Sequence, residues 1–579
     1  MNMIEHWRFV IDHLAKLSGI AGLSIRALLA AGFLAGASSL PADSLRDDAA
    51  NSAENMKRAG ERIYHEGIST SIRPIMAKVD GDVAISGKKV ACVTCHQRSG
   101  LGSSEAATLI PPVAGSKLFS PRTPKNPFQA SLFITENTPG SRPAYTRETL
   151  GRALRQGVDS SGRALDALMP RYELSDNDVD ALSAYLNSLA GAPDPGVDEE
   201  SIHFASVVMP DASTTQRNAM LNVLEAYFQD RNSATRHEPR RAEHAPWNKE
   251  LSARSYRKWK LHVWELAGPA SSWPDQLEGY YRRQPVFALL GGVGASEWRP
   301  VHRFCEQHRV PCVFPSTDLP EVNESDVYSL YFSKGLILEA ETLATYLSQQ
   351  RPSYKDINGD FRIVQVFRNN IRGMYASRAF RSAMQNHGFT QIDDLVIDSA
   401  TSSRLHDHTD TGSVIVYWLD ANDLLAISES AGANNEHPER YFSSTLINAT
   451  METIPIALRK GGHLLHPFAL NEKRQKQLLR TNLWLQSKNI AVTDQRIQAD
   501  AYFVATLTRG AVHKIQGNFS RDYFIERIEH MVENTLSPSI YPRLSLGPRQ
   551  RFASKGCYII DLNEPDTAAV SNQPIWITP

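Results

Sequence analysis

A chain of 579 residues is longer than one hydrophobic core can serve, so two or three domains are expected. Lys and Arg number 62 against 63 for Asp and Glu, and the formal net charge of −1 excludes a general affinity for nucleic acid. A charged content of 22% with 42% hydrophobic residues excludes a disordered chain and describes an ordinary globular protein.

At the N-terminus Arg8, Lys16 and Arg26 precede the apolar run from Ala27 to Ala37, which ends in small residues. A basic leader, a short apolar core and a small-residue exit describe a secretory signal peptide over residues 1–42. The run is too short to span a bilayer comfortably, so no transmembrane span is expected beyond the signal, although an uncleaved anchor stays open. No Cys lies near the exit and no paired arginines precede the run, so neither a lipoprotein anchor nor twin-arginine export is implied. The compartment expected is the periplasm.

The next element is a helix from Ser52 to Gly67. Ser52 is placed to cap it, Gly67 to end it, and Met56, Ala59, Ile63 and Tyr64 recur at helical spacing. Gly60 would let another helix approach closely. An irregular, hairpin-like stretch then leads to Cys92-Val93-Thr94-Cys95-His96. The spacing C-x-x-C-H is the attachment signature of a c-type haem. Two thiols one helical turn apart add to the vinyl groups, and His96 becomes the proximal iron ligand. A zinc half-site would need a second Cys or His pair nearby, and the next Cys is Cys305.

A Gly/Ser loop from Gln97 to Glu105 follows, then Pro111 and Pro112. Thr146 to Gly157 is a helix with Thr146 as cap. The segment Ala167-Leu168-Met169-Pro170-Arg171-Tyr172 precedes a final helix capped by Ser175, with Asp176 and Asp178 suited to its positive end. This run, together with G-E-R-I-Y at 60–64 and the C-x-x-C-H motif, closely resembles class I cytochromes c. The resemblance implies an all-α cytochrome c domain over residues 48–190 holding one covalent haem c. It makes Met169 the iron ligand opposite His96, with Met76 a weaker rival and a gap-filling Met169 the bland alternative. With both axial positions filled, it implies electron transfer rather than haem catalysis, and no catalytic residue.

Residues 191–200, rich in Pro, Gly and acids, suggest a linker. From residue 201 to 579 strands alternate with helices. Ile202 to Met209, Lys258 to Glu265, Pro285 to Leu290, Val310 to Pro315, Tyr328 to Phe332, Phe361 to Phe367 and Ser413 to Trp418 are strand candidates. Helices are expected at Thr214 to Phe228, Trp298 to Arg309 and Glu339 to Gln349. The alternation implies parallel, doubly wound sheets in two α/β lobes.

Three stretches and a tail here resemble type 1 periplasmic solute-binding proteins of the branched-chain amino acid and amide class. They are V-F-A-L-L-G-G at 286–292, V-P-C-V-F-P-S-T-D-L-P at 310–320, Y-S-L-Y-F-S-K-G at 328–335, and residues 541–559. The resemblance implies a two-lobed periplasmic-binding-protein-like domain with a small ligand between the lobes. Gly292, Ser296, Ser316, Thr317 and Ser333 fall where the gripping loops should lie. No residue pair for amino-acid recognition is evident, and G-G-V-G lacks the Lys-Ser/Thr of a phosphate loop. Cys305 and Cys312 could close a disulfide or stay buried thiols, and Cys557 among apolar neighbours suggests burial. His406 and His408, flanked by Asp407 and Asp410, could bind copper or zinc, but lie in a loop-like polar stretch. His463 and His466 suggest packing.

The functional expectation is a mono-haem electron carrier fused to a solute-binding-like domain, working with a periplasmic redox protein or dehydrogenase. Two alternatives stay open. One is a redox-modulated ligand sensor or transport receptor, the other a haem-linked oxidoreductase acting in the interlobe cleft.

Overall fold

The computed structural model describes residues 42–79, 83–105, 108–122, 141–189, 191–244, 256–323, 325–354, 362–397, 413–430, 438–448, 451–534, 539–547, 550–563 and 573–579. The signal-peptide segment, apart from Ala42, and the His406/His408 cluster lie outside them. Contacts divide the chain into two units, Met1–Gly191 and Ala192–Pro579.

In the first unit helix α1 spans Ala42–Glu66 and ends at Gly67, whose φ of 64° only glycine adopts easily. It starts ten residues before the expected cap at Ser52. Nothing between Ala42 and Ser52 breaks a helix, and the first breaker upstream is Pro41. Strands β1 (Met76–Val79) and β2 (Val83–Ser86) form an antiparallel hairpin, followed by the short helix α2 (Cys92–His96).

Helix α3 (Arg147–Gln156) is capped by Thr146 Oγ1, which accepts from the Thr149 amide at 3.3 Å, and closes on Gly157 at φ 70°. Strand β3 (Arg171–Tyr172) adds to β1, giving a small, partly exposed three-stranded antiparallel sheet beside the helices. Helix α4 (Asp176–Ser188) is capped by Ser175, while the Asp178 carboxylate accepts from the Ser175 and Thr70 amides at 2.9 and 2.7 Å. Helices α1 and α4 cross at Gly60, where a Cβ would stand 2.0 Å from the Ala181 carbonyl oxygen. Ile63, Tyr64, Leu182 and Tyr185 fill the core around that crossing.

The second unit holds two α/β layers. The first sheet contains β4 (Ser201–Val208), β5 (Lys258–Glu265), β6 (Ala288–Leu290), β7 (Cys312–Val313) and β8 (Ser329–Leu330), all parallel in the order β5-β4-β6-β7-β8. Strands β4, β6, β7 and β8 are buried throughout, as strands of a parallel sheet between helices must be, while the edge strand β5 exposes Lys258, Lys260 and Glu265. One face carries α5 (Thr214–Ala234), α11 (Asn471–Ser487), α12 (Gln495–Ile515) and α13 (Arg521–Asn534). The other carries α6 (Trp273–Arg283) and α7 (Arg299–His308).

The second sheet repeats the winding. It contains β9 (Arg362–Arg368), β10 (Ile392–Ile397), β11 (Ser413–Trp418), β12 (Glu439–Ser443) and β13 (Gly462–His466) in the parallel order β10-β9-β11-β12-β13. Strands β14 (Cys557–Asp561) and β15 (Ile575–Ile577) extend it antiparallel. Helices α8 (Leu336–Tyr354) and α9 (Ile371–Asn386) cover one face and α10 (Ala421–Ser430) the other. Each lobe therefore has the strand order of a doubly wound sheet, whose ligand crevices lie outside the carboxyl ends of the strands.

The stretch expected to be a linker is bound into the second unit. Asp194 accepts from the Arg521 amide at 2.6 Å, an acid at the positive end of α13, and its own amide donates to Phe519 at 2.8 Å. Cys305 and Cys312 are buried thiols in hydrogen-bond contact with each other, and Cys557 is a third buried thiol.

Candidate haem site and interlobe crevice

In the first unit a cavity of about 520 Å³ is walled by Leu150 and Leu154 of α3, Leu182 and Leu186 of α4, Val113 and Pro112. Cys92, His96 and Met169 all face it. Two buried tyrosines hold the C-x-x-C-H turn in place. The Tyr64 hydroxyl donates to the Gln97 carbonyl, and that of Tyr172 to the Val90 carbonyl, each at 2.6 Å. His96 Nδ1 donates to the Pro111 carbonyl at 2.9 Å, which leaves Nε2 with its lone pair, as a metal-binding imidazole requires. Burial pushes the His96 imidazolium below its ordinary range, so the ring is neutral and competent to ligate.

Met169 enters from the loop between α3 and α4. Arg171 organises that loop by donating to the carbonyls of Met169 and Leu165, the latter at 3.1 Å. Met76, the rival, lies on β1 and is 40% exposed. Cys92 borders the cavity, whereas Cys95, one turn along α2, is exposed.

The donor set suits a haem. A neutral imidazole and a thioether share one cavity, two thiols stand a turn apart, and Arg122, Arg142 and Arg163 line the same cavity with positive charge that haem carboxylates would pair with. Arg142 also ties the wall together by donating to the carbonyls of Lys117 and Leu118 at 2.8 and 3.1 Å. Among the described residues no cluster of three or more His, Cys, Asp or Glu side chains could hold a separate metal ion.

In the second unit the carboxyl ends of both sheets meet in a polar crevice. Of the expected ligand residues, Gly292 and Ser316 are adjacent, the Ser316 amide donating to the Gly292 carbonyl at 2.9 Å. The Ser316 hydroxyl donates to Asp500 at 3.0 Å. Thr317 Oγ1 accepts from the Leu319 amide at 3.2 Å, and Ser333 Oγ from the Gly335 amide at 3.1 Å. Ser296 stands apart, its hydroxyl bound to Asp211. These groups thus serve the chain's own loops.

What fills the crevice is an ion cluster that residue-by-residue reading missed. The Asp318 carboxylate, next to Thr317, accepts from Arg372 at 2.6 Å and from Arg496 at 2.9 Å. Burial acts to raise its pKa, but the charges of Arg496 and Arg372 hold it below the ordinary carboxylate range. Glu339 of α8 accepts from Ser443, and from the Thr445 amide and hydroxyl at 3.0 and 2.7 Å. His466 is buried and bound to Ser444 at 2.7 Å.

Burial pushes Glu339 and Asp500 up to about 7. A carboxyl raised in the fold holds a proton that the unfolded chain has released. Its contribution is therefore greatest below the ordinary 4.5 of Glu339 and falls as pH rises to about 7. Glu339→Gln keeps the shape without the titration. Urea midpoints are expected to favour the variant over wild type more at about pH 8 than at about pH 5. A difference that does not change with pH would refute this.

No helix among the described residues is long and apolar enough to cross a membrane. No curated protein matches the chain. Among solved structures, a branched-chain amino acid ABC transporter protein from Thermus thermophilus with bound valine is similar at 11% identity, with a TM-score of 0.47, over 66% of this chain and 96% of that one. A fatty acid ABC transporter substrate-binding protein from Thermomonospora curvata matches at 12% identity and a TM-score of 0.44, over 67% and 94%. A leucine-binding protein from Thermotoga maritima matches at 12% and 0.42, over 65% and 99%. The family model for cytochrome c matches residues 85–190, the segment that contains the C-x-x-C-H turn, Met169 and helix α4. Residues 85–190 are therefore a cytochrome c domain, carried in one chain with a two-lobed α/β unit.

Proposed function

We propose that the chain is an exported, periplasmic mono-haem cytochrome c that transfers single electrons, with Cys92 and Cys95 as the covalent anchors and His96 and Met169 as axial ligands. The observation that carries this reading is that one cavity gathers Cys92 and His96 from helix α2 and Met169 from the loop before α4. A haem held there supplies a one-electron couple. The protein's part would be to orient the imidazole through Pro111, to offer the Met169 thioether as a second donor on the same cavity, and to line that cavity with leucines. A thioether favours the reduced metal, so Met169 sets a high potential. The second unit serves as the docking or binding module for a periplasmic redox protein, a dehydrogenase or a small molecule. Its internally satisfied crevice supports docking over the carriage of free solute.

The test is the optical spectrum of protein matured with c-type haem machinery, oxidised and reduced, for wild type and Met169→Ala. A low-spin wild type with the weak sulfur-to-iron band of the ferric form, lost in the variant together with a fall in potential, is the expected result. A high-spin wild type, or a variant with an unchanged spectrum, would remove Met169 from the iron and favour an open, substrate-binding haem.

A further inference from the structure

A cavity of about 940 Å³ in the second unit lies away from the interlobe crevice, among α5, α11, α12 and strand β5. Its composition is unlike a packing defect. Arg231, Arg480 and Arg509 converge on it beside the aromatic trio Tyr227, Trp484 and Tyr502. Those three rings stand 4.9–6.0 Å apart, Trp484 closest to Tyr502.

The two carboxylates on the wall are already engaged. Asp230 binds Lys488 at 2.6 Å and Glu238 binds Arg241 at 2.7 Å. Neither Arg480 nor Arg509 has a carboxylate partner among the described residues. Arg231 is buried, donates to the Tyr256 carbonyl at 3.2 Å and stacks 5.0 Å over Trp259. Burial, and then the charge of Arg509, lower its pKa to about 10. Trp259, 3% exposed and on the same wall, keeps a buried indole Nε1 without a hydrogen-bond acceptor. A buried Arg231 beside two exposed guanidiniums, with both wall carboxylates engaged, leaves positive charge on the cavity that an incoming anion would pair with. The aromatic lining selects a flat ring as well as a charge.

We propose that this cavity is a binding site for a small aromatic carboxylate. The acid group pairs with the three guanidiniums and the ring packs against Tyr227, Trp484 and Tyr502. The site is separate from the crevice at the strand ends and from the haem cavity, so it gives the second unit a ligand of its own.

The test is calorimetric titration of the full chain with 2-naphthoate, alongside 2-naphthylmethanol, which lacks the charge, and acetate, which lacks the ring. One saturable site for 2-naphthoate is expected, with both controls at least about tenfold weaker. Arg480→Gln with Arg509→Gln should weaken 2-naphthoate at least about tenfold at an unchanged thermal midpoint, because both side chains are exposed. Trp484→Ala should weaken it too, by removing one stacking partner. The proposal is overturned by the absence of saturable 2-naphthoate binding, by equal binding of the alcohol, or by arginine variants that bind as wild type does. The haem spectrum plays no part in the readout, so either proposal can fail alone.

Discussion

Asp318→Ala is expected to destabilise the second unit by about 3–5 kcal/mol, the cost of removing one partner from a buried ion pair. Asp318 stands between two guanidiniums, Arg372 at the start of α9 and Arg496 at the start of α12. Without the carboxylate those two cations face each other in the crevice. Asp318→Asn keeps the shape and some hydrogen bonding but not the charge, so an intermediate loss is expected. Removing the cations as well, in Asp318→Ala with Arg372→Met and Arg496→Met, should recover much of the stability, because a fully apolar replacement leaves no orphaned charge. Chemical denaturation of the four proteins decides it. A single Asp318→Ala loss below about 1 kcal/mol would place the cluster with exposed salt bridges, which contribute little.

That cluster marks where local reading runs out. Asp318 meets Arg372 and Arg496 across 54 and 178 residues, and Ser316 meets Asp500 across 184. Periodicity carries no information about such distant pairs. Ser316 and Ser333 follow the short strands β7 and β8, a strand-to-loop transition that is a local feature of the sequence. The hydroxyls of the serines expected to grip a ligand are occupied by the chain itself: Ser316 by Asp500 of α12, Ser296 by Asp211, and Ser333 by the Gly335 amide of its own turn. Elements with strong local signals were legible: Ser413 to Trp418 is the observed β11, and Thr146 and Gly157 bound α3 as expected. Strand β3, two residues long, has no pattern of its own and exists because Ala77 offers Tyr172 a backbone partner. The haem cavity was the most legible feature. Covalent attachment fixes the C-x-x-C-H spacing, and the Met169 loop is set by turn chemistry close in sequence.

Gly60→Ala supplies a contest between two local rules. In the middle of α1, propensity alone favours alanine by about 1 kcal/mol. Packing opposes it, because the new Cβ would lie 2.0 Å from the Ala181 carbonyl oxygen and 2.7 Å from Tyr185 Cβ. These are backbone and stem atoms of α4, which cannot swing aside, so α1 and α4 must separate. Overpacking at the upper end of its usual range costs about 3 kcal/mol, so we expect packing to win by about 2 kcal/mol. The displacement should carry further, because Tyr64, one turn along α1, holds the Gln97 carbonyl beside the haem-binding turn. Covalent haem incorporation should therefore fall together with the thermal midpoint. Gly279→Ala in α6 is the matched control, with nothing within 4 Å of its would-be Cβ. There propensity acts unopposed, and alanine should stabilise by up to about 1 kcal/mol. If both substitutions shift stability in the same direction, the close crossing of α1 and α4 is not what positions the haem-binding turn.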